Sequence, residues 1–318
     1  MAAAARLALR ARPLARPNPG VAALVVQKGR MIARGWTQAG GRPHAEAEAL
    51  AGLAPDVLAE AVLYVTLEPC AHRSDRGPAC ADLLSTARPG RIVIGQLDPD
   101  PRTAGAGIAR LRAAGIATRL LDDPASAASL SGFLIRQRLG RPWVTLKLAM
   151  SLDGCIALAD GTSQWITGET ARAHVHAQRA RNDAILVGGG TWRADSPRLD
   201  VRLPGLEARS PQRVVLTRGA APVPGVTAIA APEAIAGLDG VLQLYVEGGA
   251  ETAAAFLAAD LVDELHLYTA PILIGDGRRA LAALGLANLA DAHGRWRMSE
   301  RRQLGSDSFA AYLRIRDS

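Results

Sequence analysis

Two short stretches hold residues whose types and spacing could do chemistry. The first is Pro43-His44-Ala45-Glu46, and the second runs from Leu67-Glu68-Pro69-Cys70 to Pro78-Ala79-Cys80. Together they offer one imidazole, two thiols and a free carboxylate. One His and two Cys make a three-ligand zinc set, which leaves the fourth tetrahedral position to water. Structural zinc sites are closed by four ligands, so His44, Cys70 and Cys80 point to a catalytic metal. Zinc lowers the pKa of bound water from about 15.7 to roughly 7. Glu46 need not be a ligand and is the candidate proton carrier between that water and a leaving group.

Taken alone, His44 reads as an ordinary surface or structural histidine, and Cys70 as a small buried apolar residue. The joint pattern says more. A His-x-Glu followed by Pro-Cys and a further Cys is how zinc enzymes that deaminate nucleobases are built. Hydrolytic loss of an amine from a pyrimidine ring is therefore the expected reaction.

The second half holds two glycine-rich turns, Gly188-Gly189-Gly190 and Gly248-Gly249, each after a short apolar strand. Glycines there let the backbone approach a ligand, and a helix after Gly249 would present free N–H groups to an anion. Neither turn has the spaced glycines of the dinucleotide fingerprint. On these residues alone a tight turn without a ligand is an equal reading.

A chain of 318 residues is too long for one typical core and suggests two domains, 1–140 and 141–318. Aromatics make up only 4% of the residues, while aliphatic residues abound, which suits α/β architecture with buried aliphatic strands. The net charge is +7, and apart from Lys28 and Lys147 the positive charge is arginine. The arginines are scattered and no basic run is interleaved with aromatics, which favours a phosphorylated small ligand over nucleic acid. No stretch approaches the roughly 18 apolar residues of a membrane span. Three cysteines, Cys70, Cys80 and Cys155, make no disulfide framework, so a reducing cytoplasm is expected. The Ala/Arg-rich start is not a secretory signal.

The elements that must position these residues follow from pattern and punctuation. A helix is expected over 1–16, ended by the Pro/Asn/Gly cluster at 17–20. A hairpin follows, with strands over 21–26 and 31–36. A helix over 44–59 would carry His44 and Glu46 on its first turn, where the positive helix end supports a carboxylate. Strands over 62–67, 91–95 and 116–121 alternate with helices over 81–87, 107–114 and 124–139. Past the break at Gly140-Arg141-Pro142 come a strand over 143–150, a helix over 169–179 and a strand over 184–187. The glycine turn then runs into a loop carrying Asp195, Pro197 and Arg202. Strands are expected over 213–216, 242–246, 264–273 and 310–315, a helix over 251–257, and irregular chain over 219–240. Such alternation implies largely parallel sheets sandwiched by helices.

Longer motifs join these. The first half has Pro17-Asn18-Pro19, Thr66-Leu67-Glu68-Pro69-Cys70-Ala71-His72, Pro78-Ala79-Cys80-Ala81-Asp82 and Asp98-Pro99-Asp100-Pro101. The second has Lys147-Leu148-Ala149-Met150-Ser151-Leu152-Asp153-Gly154, Ser163-Gln164-Trp165-Ile166-Thr167, Asp183-Ala184-Ile185-Leu186-Val187-Gly188, Ala194-Asp195-Ser196-Pro197-Arg198-Leu199 and Val246-Glu247-Gly248-Gly249. In these the chain resembles the bifunctional deaminase–reductases of riboflavin biosynthesis, over essentially its whole length. The long gap between Cys70 and Cys80 sets it apart from tRNA and free-base deaminases.

The resemblance implies a cytidine-deaminase-like α/β/α domain followed by a dihydrofolate-reductase-like domain. It implies deamination of a diaminopyrimidinone bearing a phosphoribosylamino group, then NADPH-dependent reduction of the ribose to a ribityl chain. His44, Cys70 and Cys80 match the zinc ligands and Glu46 the proton shuttle. The NADP contacts fall on Ala149, Trp165, Thr191, Asp195, Gly249, Ala250, Glu251 and Thr252. The substrate contacts fall on Ser163, Arg179, Leu199, Arg202 and Glu247. Arg179 and Arg202 suit a phosphate, which Arg binds in bidentate fashion. A homodimer is the implied assembly. Four departures stand out: the loop between the cysteines is one residue longer than the common form, Arg73 replaces a usual second histidine, the first helix is short and Arg-rich, and Cys155 stands where Arg is frequent.

Overall fold

The computed structural model describes residues 1–72, 76–219 and 223–316, so Arg73 lies outside the described residues. Two units divide the chain, Met1–Gly140 and Arg141–Ser318.

The first unit is built on short aliphatic strands. In chain order it comprises α1 (Ala2–Ala8), β1 (Ala22–Gln27), β2 (Arg30–Trp36), α2 (Ala45–Leu50), α3 (Pro55–Ala59), β3 (Val62–Leu67), α4 (Cys80–Ala87), β4 (Arg91–Gln96), α5 (Ala106–Ala113), β5 (Ala117–Leu120), α6 (Pro124–Ser129) and α7 (Ser131–Leu139). The strand order is β2-β1-β3-β4-β5. Strands β3, β4 and β5 run parallel, while β1 is antiparallel to both neighbours. The sheet is thus mixed rather than largely parallel, because the Lys28–Gly29 turn folds β2 directly back on β1. Leu63, Val65, Ile92 and Ile94 are fully buried in its centre.

Three helices differ from the sequence expectation. The first ends at Ala8 instead of residue 16. The helix over 44–59 is two: Ala51 leaves the helical region at φ −56, ψ 123, Gly52 is left-handed at φ 77, and Pro55 opens α3. Proline is well placed at a helix start and poorly placed inside one. The helix over 124–139 breaks at Leu130, whose backbone turns to φ −101, ψ 6.

The second unit comprises β6 (Trp143–Met150), β7 (Cys155–Ala157), α8 (Glu169–Arg179), β8 (Ala184–Gly188), α9 (Gly189–Asp195), β9 (Gln212–Leu216), β10 (Val226–Ile229), β11 (Gln243–Val246), α10 (Ala250–Ala258), β12 (Glu264–Thr269), β13 (Arg278–Arg279), β14 (Trp296–Leu304) and β15 (Asp307–Arg314). Its main sheet has the order β10-β9-β8-β11-β6-β12-β15-β14. The six strands from β10 to β12 are parallel, and β15 is antiparallel to both neighbours. Val144, Leu146, Leu186, Leu244, Val246 and Phe256 fill one face. Tyr245, Tyr268 and Phe309 pack with Ala171 and Val175 of α8 on the other. Burial on both faces is why these strands read as continuous aliphatic runs.

Here too there are corrections. The glycine run opens a helix, α9, where a loop was expected. The irregular stretch over 219–240 contains β10. The strand over 264–273 stops at Thr269. The last strand begins at Asp307 and pairs with β14, which no periodicity announced: its residues are mostly charged and exposed, as an edge strand allows.

Candidate active sites

In the first unit, His44 is the residue immediately before α2, at φ −73, ψ 162. Glu46 sits on the first turn of α2 and is only 3% exposed. Cys70 follows β3, and Cys80 is the first residue of α4. The ends of three elements therefore meet. His44 Nδ1 lies 3.2 Å from Cys80 Sγ and 3.6 Å from Cys70 Sγ. All three ligand atoms fall within 4.8 Å of one another. A tetrahedral zinc with ordinary bond lengths separates N from S by about 3.6 Å and S from S by about 3.8 Å. The donors present fit that ion in type and spacing.

The electrostatics follow from burial and close contact. Hydrogen bonding from Cys80 holds the Cys70 thiol down to about 4, and the same contact drives Cys80 upward. The Cys80 N–H also donates to Cys70 Sγ at 3.3 Å. Burial pushes the Glu46 carboxyl up, against the pull of His44. A cleft of about 330 Å³ opens over the triad, with Asn18, Arg42, His72, Arg76 and Asp98 on its walls. Its mix of cations and acids suits a charged, hydrogen-bonding ligand.

Glu68 has a positioning role that pattern reading did not assign. Its carboxylate accepts the N–H groups of Asp98, Gly105 and Ile108 at 3.0–3.3 Å. It ties the segment after β4 and the start of α5 to the Cys70 loop. Gly107 shows how close this packing is, since a Cβ there would lie 2.1 Å from the Pro69 carbonyl oxygen.

In the second unit, the carboxyl ends of β6, β8 and β11 lie side by side, which is where open α/β sheets bind ligands. Ala149 is near the end of β6. Thr191 and Asp195 are on α9, Gly249 caps α10, and Ala250, Glu251 and Thr252 form its first turn. The two glycine turns are neighbours. A Cβ on Gly188 would lie 2.2 Å from Thr252 Oγ1, and one on Gly248 would lie 2.4 Å from Thr252 Cβ. A Cβ on Gly249 would lie 3.6 Å from Thr191 Oγ1. The first two glycines let β8 and β11 close on α10. The third leaves the mouth of that helix open, with no side chain capping its free N–H groups. Such a cradle fits the pyrophosphate of a dinucleotide.

Glu247 stands immediately after β11. Arg179, the last residue of α8, grips it with two bonds, Nε to Oε1 at 2.6 Å and Nη2 to Oε2 at 2.9 Å. Lys147 Nζ lies 4.0 Å from the same carboxylate. Burial would raise Glu247, but Arg179 and Lys147 outweigh it and hold the carboxyl below its usual range. Burial lowers Lys147 despite Glu247. Arg179 Nη1 also donates to the Asp200 carbonyl at 3.0 Å, next to the buried Leu199, and Arg202 meets His176 of the same helix. Ser163 and Trp165 lie on the loop before α8. The Arg172 guanidinium stacks over the Trp165 ring at 4.8 Å and donates to the Thr167 carbonyl at 2.6 Å. Lys147 and His176 were assigned no role from sequence. A lysine inside the otherwise apolar β6, one of only two in the chain, was the available signal for the first.

Each unit also matches a known family. Residues 1–96 match the family described as the cytidine and deoxycytidylate deaminase zinc-binding region. Residues 142–309 match the RibD C-terminal domain. The riboflavin biosynthesis protein RibD of Escherichia coli K12 is 38% identical, over 96% of each chain. The chain belongs to the RibD family. The Mycobacterium tuberculosis H37Rv RibD is likewise 38% identical, over 92% of this chain and 89% of its own. The Acinetobacter baumannii RibD structure superposes with a TM-score of 0.86 at 32% identity, covering 99% of this chain and 97% of that one. A Thermotoga maritima structure, of a diaminohydroxyphosphoribosylaminopyrimidine deaminase/5-amino-6-(5-phosphoribosylamino)uracil reductase, also gives 0.86, at 29% identity. Like other RibD proteins, this is a bifunctional enzyme of riboflavin biosynthesis that joins a zinc-dependent deaminase to an NADPH-dependent reductase. The expected pair of folds, cytidine-deaminase-like and then dihydrofolate-reductase-like, is borne out. No helix among the described residues is long and apolar enough to cross a membrane.

Proposed function

We propose that residues 1–140 deaminate 2,5-diamino-6-(5-phosphoribosylamino)pyrimidin-4-one and that residues 141–318 reduce the ribosyl group of the product to ribityl phosphate. The convergence of His44, Cys70 and Cys80 beside a buried Glu46 carries the first half of this reading. His44, Cys70 and Cys80 hold the zinc. When bound, the metal supplies a water acidic enough to react near neutral pH. Glu46 takes up a proton at its carboxylate and delivers it to the departing amine. Its burial, which raises its affinity for that proton, supports the role.

In the second unit, Ala149, Trp165, Thr191, Asp195 and the segment from Gly249 to Thr252 hold NADPH, which supplies the reducing equivalents when bound. Ser163, Arg179, Leu199, Arg202 and Glu247 hold the substrate. The clamp between Arg179 and Glu247 leaves Arg202, whose side chain is 51% exposed, as the guanidinium open to a phosphate. Glu247, held ionised, is suited to orient sugar hydroxyls. The buried free thiols suit a reducing cytoplasm, and domains of this type often pair as homodimers.

The test is a coupled assay on the whole chain with the phosphoribosylamino-diaminopyrimidinone and NADPH, following ammonia release and loss of nicotinamide absorbance together. Both signals should appear. Glu46→Ala should remove ammonia release, and Arg202→Ala should weaken NADPH oxidation on the supplied deaminated intermediate. Ammonia without NADPH consumption would refute the reductase half.

A further inference from the structure

His176 lies on α8, one turn before Arg179, and is only 9% exposed. Its ring is surrounded by donors. The Arg202 main-chain N–H donates to Nδ1 at 3.2 Å. Arg202 Nε is aimed to donate to Nε2 at 3.4 Å, and Nη2 lies 3.3 Å from the same nitrogen, so both ring nitrogens are met by donors. Backbone and guanidinium N–H groups both only donate, and a neutral ring accepts at one nitrogen; the shorter contact, from the Arg202 main-chain N–H, makes Nδ1 that acceptor and leaves the ring proton on Nε2. Burial, with Arg179 and Arg202 nearby, favours the neutral ring. The Nε2–H then faces a guanidinium that can also only donate. With Nε2 protonated, neither group accepts from the other, and an acceptor placed between them would serve both.

The charged groups around this pair are accounted for. Arg179 is taken by Glu247. Asp200 Oδ2 is paired with Arg198 at 2.6 Å. Asp200 Oδ1 lies 3.7 Å from Arg202 Nε, too far for a hydrogen bond, and is buried without a hydrogen-bond partner. An oxyanion reaching the half-exposed Arg202 head would supply the missing acceptor to both donors at once.

We infer that His176 is a substrate-binding residue of the reductase site: its Nε2–H and the Arg202 guanidinium form one donor fork for the phosphate monoester of the substrate. The Arg202 main-chain N–H orients the ring for this by fixing Nδ1. The inference rests on the reading that Arg202 meets a phosphorylated substrate.

The experiment uses the full chain and the variants His176→Ala and His176→Gln. Reductase kcat/KM is measured on the phosphorylated intermediate and on its dephosphorylated counterpart, with calorimetric binding of inorganic phosphate alongside. The readout is the preference ratio between the two compounds. A hydrogen bond to a charged group lost in His176→Ala should lower that ratio by about 10- to 100-fold and weaken phosphate binding in step. Glutamine can accept from the Arg202 N–H with its oxygen and donate with its nitrogen, so His176→Gln should recover most of the ratio. An equal fall on both compounds, with the ratio kept, would show a merely structural role and overturn the inference. A wild-type ratio near one with no phosphate binding would overturn it together with the phosphate reading of Arg202. Failure of the wild type to reduce either compound, with phosphate binding present and lost in His176→Ala, would sustain the fork and sink only the proposed substrate.

Discussion

Arg179 Nε lies 2.6 Å from Glu247 Oε1 while Arg179 Nη2 lies 2.9 Å from Oε2, so the end of α8 and the end of β11 are joined by a two-pronged ion pair. Both side chains are largely buried, and Lys147 Nζ lies 4.0 Å from the same carboxylate. Removing one partner of a buried pair leaves a charge without compensation, which costs about 3–5 kcal/mol. Glu247→Ala leaves two such cations. Its reductase unit should melt about 6–20 °C lower, by the usual entropy of unfolding for a unit of this size. Calorimetry, where the two units give separate transitions, checks this. An unshifted melt would mean that water replaces the carboxylate.

The same pair sets a pH dependence. Glu247 is held below its ordinary value of 4.5 in the folded chain. Its contribution to stability is therefore fully present above that value and is lost as the pH falls through the lower, folded one. Melting temperatures taken from neutral pH downward should drop on the acid side. Glu247→Gln should show a shallower drop there than the parent, because no carboxylate remains to be protonated. Parallel curves for the two proteins would exclude Glu247 as the source.

Glu46 should be separable from the metal it serves. It is next but one to His44, yet the ligand cluster consists of His44, Cys70 and Cys80. Glu46→Gln should lower ammonia release by at least about 10²–10⁴-fold, the range of general acid–base catalysis. Zinc content, measured by atomic absorption, should stay at the parental level. Loss of zinc in this variant would make Glu46 a ligand and end the shuttle assignment.

The triad predicts an opposite pattern for Cys80→Ser. A serine hydroxyl is a poor substitute for a thiolate ligand, and zinc should be lost along with ammonia release. NADPH oxidation on supplied intermediate should persist, since the two active sites lie in different units. Chelation of the parent should reproduce that split and expose Cys70 and Cys80 to a thiol reagent. Retention of zinc by Cys80→Ser would point to a different ligand set.

Legibility from sequence followed how local the determining interaction was. His44, Cys70 and Cys80 could be read because metal chemistry admits few residue types and because each sits at the end of an element. The strands Val62–Leu67 and Trp143–Met150 were legible to the residue, since runs buried on both faces are long and aliphatic. β14 was not: its exposed, charged residues carry no burial signal, and its pairing with β15 is decided by the hairpin at 305–306. α9 was hidden by its own Gly189 and Gly190, which lower helix propensity. The role of Lys147 and His176 depends on partners that are distant in the chain, so no window around either residue holds it.

The glycines at the two turns should divide by what they protect. At Gly188 a Cβ would fall 2.2 Å from Thr252 Oγ1, and at Gly248 it would fall 2.4 Å from Thr252 Cβ. At Gly188 rotation of the Thr252 hydroxyl relieves the contact, since Thr252 Cβ would lie at an ordinary 3.6 Å, but at Gly248 an alanine must push α10 off the sheet, and overpacking of this kind costs about 1–3 kcal/mol. Gly249 differs, because its nearest neighbour would be Thr191 Oγ1 at 3.6 Å, an ordinary contact, and its backbone at φ −73 suits any residue. Gly249→Ala should therefore cost only the roughly 0.5–1 kcal/mol of a poorer N-cap but raise the KM for NADPH, since the new methyl stands in the mouth of α10. Gly248→Ala should instead lower the melting temperature of the reductase unit. If Gly249→Ala leaves the KM for NADPH unchanged, the free N–H groups of α10 do not face the cofactor, and the cradle must be sought at α9.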